Sequence, residues 1–280
     1  MSFSGSTHPA ALALSLAAFV GLAAVETEQQ TGPNDARVSF ELNNKHYDQG
    51  VIWVDDVTSH YQVLGRLYGF GITLDGWTAI GEDTTAKPAK VAGLETTELK
   101  IRVDYLLEVP FAEGVPMLQV LPHYEGILYP NQRPSSINND QQYVGVDGWF
   151  QPPILGFEGF EFGGGVDFNV DRKLRSFRGA IGARQFLQAA PVDIALHELV
   201  TFGNAAYWRN LSGIESKQVG VLDIGGKLTM PLAWREWWAY VKVSGYYWLD
   251  GDQRTLNRNN GVDNGGVLVG IGIQWWNERR

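Results

Sequence analysis

The stretch 217-KQVGVLDIGGKLTMPLAWREWWAYVKVSGYYWLD-250 decides the fold. From Leu222, alternate positions read Leu222, Ile224, Gly226, Leu228 and Met230. The positions beside them read Val221, Asp223, Gly225, Lys227 and Thr229. After Pro-Leu-Ala-Trp-Arg-Glu the same period resumes. Ala239, Val241, Val243, Gly245 and Tyr247 form one row, and Tyr240, Lys242, Ser244, Tyr246 and Trp248 form the other. A period of two marks strands, whose successive side chains point to opposite faces. Each run spans roughly 10 to 14 residues, about twice the usual soluble strand. Long strands with one apolar row and one polar, charged row, joined by a short turn, suit a barrel wall in a bilayer.

Composition agrees with a strand-rich chain. The 280 residues include 33 Gly, 10 Trp, 11 Tyr and 13 Phe, with only 19% charged residues. A net charge of −9 gives no basic footprint for a nucleic-acid partner. No Cys is present, which removes disulfides, thiol catalysis and thiolate metal sites.

The apolar run Ala10 to Val25 is broken by Ser15 and Gly21 and is short for a spanning helix. A polar stretch follows, and Gly21, Ala23 and Ala24 offer a cleavage site, so residues 1–24 read as a secretory signal. The segment Met1 to Pro9 lacks the usual Lys or Arg. Residues 25–36 read as a polar linker and 37–280 as one barrel domain. With no other apolar run of spanning length, a membrane-resident chain must cross as a closed barrel.

The rest of the sequence repeats the opening pattern. Val38, Phe40 and Leu42 alternate with Ser39, Glu41 and Asn43. The stretch 61–77 carries Tyr68, Phe70, Ile72 and Leu74 on one row and reads as a single strand. Leu99, Ile101, Val103 and Tyr105 oppose Glu98, Lys100, Arg102 and Asp104. Further strands are expected at 118–128, 143–151, 158–170, 175–187, 192–202 and 266–276. Gly203 to Ser216 and Asp250 to Asn264 read as loops.

Eleven long strands cannot close a barrel of even strand number. Adding Val51 to Val57, paired with Val38 to Tyr47, gives about twelve. The long connections 76–93, 129–141, 203–216 and 250–264 then fall on one side, and 109–116, 152–157, 188–191 and 231–236 on the other. This sorting predicts an antiparallel transmembrane β-barrel with both termini in the periplasm. The short connections Asp48 to Gly50 and Asp171 to Lys173 fall on the long-loop side as exceptions.

KHYDQGV at 45–51, GFGITLDGW at 69–77, ELKIRVDY at 98–105 and GGVLVGIGIQWW at 265–276 carry a resemblance. The chain resembles small Gram-negative outer-membrane porins, nearest to the TorF-type porins and their nucleoside-channel relatives. The resemblance is a pattern spread over residues 36 to 276, and it implies an outer-membrane channel for small polar solutes. Such barrels commonly end on an aromatic residue, whereas this chain continues past Trp276 to Arg280.

The inward rows are expected to bring Glu98, Lys100, Arg102, Asp104, His123, Glu125, Asp167, Arg178, Arg184, Asp193, Asp223, Lys227 and Lys242 into the lumen. Such groups line a wet pore and set its selectivity, or they pair across strands and plug the interior. Trp149, Tyr240, Tyr246 and Trp248 can stack on a sugar or nucleobase, or simply fill the lumen. Trp77, Trp237, Trp238, Trp275 and Trp276 lie near strand ends, where an aromatic girdle is expected.

Catalysis has little support. His8, His46, His60, His123 and His197 sit in no nucleophile–base motif, and His197-Glu198 lacks the second His of a zinc-protease helix. Gly163-Gly164-Gly165 lies in a strand, without the following helix that a phosphate loop needs. The Asp- and Asn-rich segment from Asp250 to Asn264 lacks the calcium-loop spacing. No cofactor or metal is expected, and the partners are outer-membrane lipid and small polar solutes. The alternatives are a closed scaffolding barrel in the same membrane and a soluble β-barrel holding a ligand. Oligomeric state is not readable from the chain.

Overall fold

The computed structural model describes residues 33–48, 51–54, 56–80, 96–110, 117–129, 141–152, 159–170, 175–212, 219–234, 236–259 and 263–278. The expected signal and residues 25–32 of the expected linker lie outside them, as does the Asp171 to Lys173 turn, while Asp35 and Ala36 of that linker already belong to the first strand. The strands are β1 (Asp35–Asn43), β2 (His46–Asp48), β3 (Val51–Val54), β4 (Thr58–Leu67), β5 (Phe70–Ala79), β6 (Thr96–Tyr105), β7 (Leu107–Pro110) and β8 (Met117–Leu128). There follow β9 (Gln141–Phe150), β10 (Phe160–Asn169), β11 (Phe177–Ala189), β12 (Val192–Gly203), β13 (Val219–Pro231), β14 (Trp237–Trp248) and β15 (Gly265–Glu278). Helices α1 (Ala205–Ser212) and α2 (Gly251–Asn259) lie between β12 and β13 and between β14 and β15.

Thirteen of the strands form one sheet in the order β6-β5-β4-β1-β15-β14-β13-β12-β11-β10-β9-β8-β7. A β6–β8 pairing closes it. β6 and β7 pair with β8 in one unbroken register, so they are a single strand interrupted at Leu106. The barrel therefore has twelve antiparallel strands. Following the registers once round advances about 16 residues along β1, which implies strands tilted about 45° and a backbone radius of roughly 12 Å.

The count of twelve is right, but the expected twelfth strand is not the one observed. β1 pairs with β4 and β15, and Val51–Val54 pairs instead with His46–Asp48 in a separate two-stranded sheet. The missing strand comes from the stretch 61–77, which is two strands joined at Tyr68 and Gly69. Both residues have positive φ, 51° and 85°. That geometry closes a two-residue hairpin whose twist matches its strands. Of the expected Asp48 to Gly50 turn, residues 49 and 50 lie outside the described residues, and Asp48 ends β2 within the longer connection 44–57.

The two ends of the barrel differ. Connections 44–57, 80–95, 129–140, 170–176, 204–218 and 249–264 share one end, the loop end. The strand ends joined through 68–69, 111–116, 151–159, 190–191 and 232–236 share the other, the turn end, together with the start of β1 and the end of β15. Two connections expected as loops contain helices. Asn204 Oδ1 accepts from the Tyr207 N–H at 3.0 Å to cap α1, and Asp250 Oδ1 accepts from the Gln253 N–H at 2.8 Å to cap α2.

Alternation sorts the wall into two faces. Val38, Phe40, Val63, Ile72, Leu74, Ile101, Val146, Ile181, Val241, Val269 and Ile271 are exposed large apolar residues on the outer rows. A water-soluble barrel would bury these rows, so this surface is built for a hydrocarbon surrounding. Glu198 is the one charged side chain on the outward rows of the described barrel strands, opposite Ala183 and Ile224.

Candidate pore interior

Register places every charged residue expected in the lumen on an inward row: Glu98 to Asp104 on β6, His123 and Glu125 on β8, Asp167 on β10, Arg178 and Arg184 on β11, Asp193 on β12, Asp223 and Lys227 on β13, and Lys242 on β14. Trp149, Tyr240, Tyr246 and Trp248 are inward too. Three of the expected girdle residues also face in. Trp77 stacks on His60 with ring centroids 4.3 Å apart, Trp238 shares the row of Tyr240, and Trp276 Nε1 donates to Asp35 Oδ1 at 2.7 Å. Only Trp237 and Trp275 of that group lie on outward rows. Strand-end position alone does not fix the side; parity along the strand does.

The inward charges form pairs that reach over intervening strands. Arg66 on β4 donates to Asp104 on β6 at 2.5 Å, passing over Gly71 of β5. His123 Nε2 on β8 lies 2.6 Å from Asp167 Oδ1 on β10, across Gly145 of β9. A Cβ at position 145 would overlap that carboxylate and stand 2.7 Å from the imidazole nitrogen. Glycine on these inward rows leaves the gap through which neighbours on either side meet. Lys242 and Glu41 approach to 3.6 Å in the same way, over Gly270.

A larger cluster surrounds His123. Arg178 donates from Nε to Asp167 at 2.9 Å and from Nη2 to Glu125, while Arg102 Nη2 donates to Asp147 and lies 3.1 Å from His123 Nδ1. The Arg178 guanidinium also covers the Tyr143 ring at 4.2 Å. Towards the turn end, Arg184 donates to Glu161 at 2.7 Å and stands 3.7 Å over Trp149. Trp149 is therefore occupied by a guanidinium. Lys100 reaches Glu98 at 2.8 Å, and His60 Nε2 lies 2.8 Å from Asp75 Oδ2.

The opposite wall is more aromatic. Lys227 lies 3.9 Å over Tyr240 and donates to Gln274 at 2.8 Å. His197 faces Asp223 at 3.8 Å. At the loop end, α1 folds onto the inner face, packing Tyr207 and Trp208 against Val221, Tyr246 and Trp248. Trp208 meets Trp248 edge-on at 5.6 Å and donates from Nε1 to the Gly203 carbonyl. Tyr246 and Trp248 are thus buried beneath a helix rather than presented to the lumen.

These pairs join strands at most three apart, so they run along the wall. Side chains reaching about 6–7 Å inward from a backbone radius of roughly 12 Å do not meet across the bore. Accessibility agrees. Arg102, Asp147, Lys242 and Lys100 keep 26%, 25%, 21% and 19% of their side-chain surface exposed. Arg66 and Asp104, in contrast, keep only 2% and 3%.

Several inward charges escaped the sequence-based selection: Arg37, Glu41, His60, Arg66, Asp75, Asp147 and Glu161. Glu41 and Asp75 stand beside apolar rows already visible as alternating, so parity was available to find them. Histidine chemistry stays limited. His197 and Ser244 flank Gly225, yet among the described residues no hydrogen bond joins them, and Asp223 is at ion-pair distance only.

No protein-family model and no curated protein matches the chain. Among solved structures, it is similar to an outer-membrane channel from Pseudomonas putida F1 at 9% identity and TM-score 0.45, covering 91% of this chain and 100% of that one. It is also similar to outer-membrane phospholipase A from Escherichia coli, at 10% identity and TM-score 0.43, covering 89% and 95%. A third likeness is OprB from Pseudomonas putida, at 12% identity and TM-score 0.34, covering 79% and 59%. These likenesses are loose, and the barrel follows from the chain's own strand pairing rather than from them.

Proposed function

We propose that the barrel is a channel of the bacterial outer membrane through which small hydrophilic solutes diffuse passively. The observation that carries this reading is the partial exposure of Lys100, Arg102, Asp147 and Lys242 on inward rows. A wall-hugging ion-pair network leaves water-accessible space beside it, whereas a plug would bury these groups as deeply as Arg66 and Asp104. Passage needs no cofactor and no chemical step: selectivity comes from bore and lining charge. In this orientation the turn end and both termini face the periplasm, as short turns do in such barrels.

The test is electrical. The folded barrel, reconstituted in a planar bilayer, is expected to give discrete conductance steps. A correctly folded barrel that gives none at any voltage contradicts the channel and favours a closed scaffolding role.

A further inference from the structure

We propose that this channel passes small cations in preference to anions of similar size. The inference rests on the channel reading, and it follows from how the inward charges balance. Among the described residues, Arg37 stands beside Asp35 at 3.0 Å, Arg66 beside Asp104, Arg184 beside Glu161 and Lys242 beside Glu41. Lys227 sits on Tyr240 and Gln274.

The carboxylates outnumber them. Asp75 and Asp223 face His60 and His197. Asp167 shares Arg178 with Glu125 and otherwise meets His123. Glu108 accepts from Gln119 Nε2 at 3.3 Å, and Asp193 lies on the inward row of β12 near its turn-end start. Counted over lysine, arginine, aspartate and glutamate alone, the inward rows of the described strands hold an excess of roughly four negative charges.

Placement strengthens the effect. Asp75, Asp167 and Asp223 lie in the loop-end half of their strands, and Glu108 and Asp193 near the turn end. These acids are therefore divided between the two halves of the bore. The Debye length at physiological salt, about 8 Å, is comparable with the bore, so the wall's field reaches the solute path. Low-dielectric walls focus it further. The solute class this favours is small hydrophilic cations, with protonated amines beside alkali ions.

The experiment measures the reversal potential of the reconstituted full chain in a KCl gradient at pH 8. The expected potassium-to-chloride permeability ratio is about 3 to 10. Asp75→Asn combined with Asp223→Asn should lower that ratio at least about twofold, and Lys227→Gln should raise it. Asp193→Asn, at the strand end and outside the paired network, gives the same downward reading should the double variant not fold. A wild-type ratio at or below one overturns the cation preference while leaving the channel intact. An unchanged ratio across the folded variants overturns the assignment to these acids. A folded barrel without conductance overturns the channel reading and this inference with it.

Discussion

On β14, Val241 and Val243 stand outward with 41% and 46% of their surface exposed, while Lys242 between them turns in towards Glu41. The outer and inner faces of this one wall obey different rules. An outward residue needs only to be apolar, so Val, Ile, Leu and Phe follow one another with no fixed partners. An inward residue is defined by what it meets two or three strands away: Arg66 by Asp104, His123 by Asp167, Arg178 by Glu125. The difference teaches where the chain tolerates change. Outer positions fail by class of side chain, and inner positions fail by loss of a named partner.

The largest effect should come from placing charge in the hydrocarbon. Val241→Lys with Val243→Lys is expected to cost about 2–4 kcal/mol at each site, read as a lower denaturant midpoint or loss of heat-modifiable gel mobility. Lys242→Ala, one residue away, takes a partner from Glu41 and should change conductance at a smaller cost to folding. Equal damage from the two would erase the distinction between the faces.

Next is a broken inner pair. Asp104→Ala strands the Arg66 guanidinium in a nearly sealed site and should lower unfolding stability by about 3–5 kcal/mol. Replacing both partners with apolar residues should recover much of that loss. A smaller effect is expected from Gly145→Ala, whose methyl would press between His123 and Asp167. A cost of about 1–3 kcal/mol is expected in the same unfolding assay, with a change in conductance.

The smallest effect tests the outer rule at its exception. Glu198 projects outward with its Oε2 lacking a hydrogen-bond partner among the described residues. Glu198→Leu should stabilise the barrel by about 1–2 kcal/mol in lipid. A clear loss of stability would show that this carboxylate has a partner on the outer surface.

The outer face was legible because it is a matter of composition and parity. Leu99, Ile101 and Val103 against Glu98, Lys100 and Arg102 already assign the two sides of β6. The split of 61–77 was legible in principle, because apolar parity switches from the odd positions Val63 and Leu67 to the even positions Phe70 and Ile72. Tyr68 masks the turn, since an aromatic residue with φ of 51° is an uncommon hairpin residue. Helices α1 and α2, at 8 and 9 residues, are too short for periodicity to reveal. Their caps, Asn204 and Asp250, were the available signal. The ion-pair network was not legible at all. Whether Arg102 meets Asp147 depends on the registers of β6, β8 and β9 together, and pairing across an intervening strand leaves no local mark in the sequence.

Because the chain has no cysteine, its faces can be read one residue at a time. Single substitutions Val241→Cys, Lys242→Cys and Val243→Cys, in barrels reconstituted into vesicles, are treated with a membrane-impermeant, water-soluble thiol reagent. Labelling is expected at 242 and protection at 241 and 243, because Lys242 keeps 21% of its side-chain surface exposed on the inner face while the outer face lies in lipid. Labelling of 241 and 243 with protection of 242 would contradict the assignment of faces. Protection of all three would contradict the open, water-filled interior.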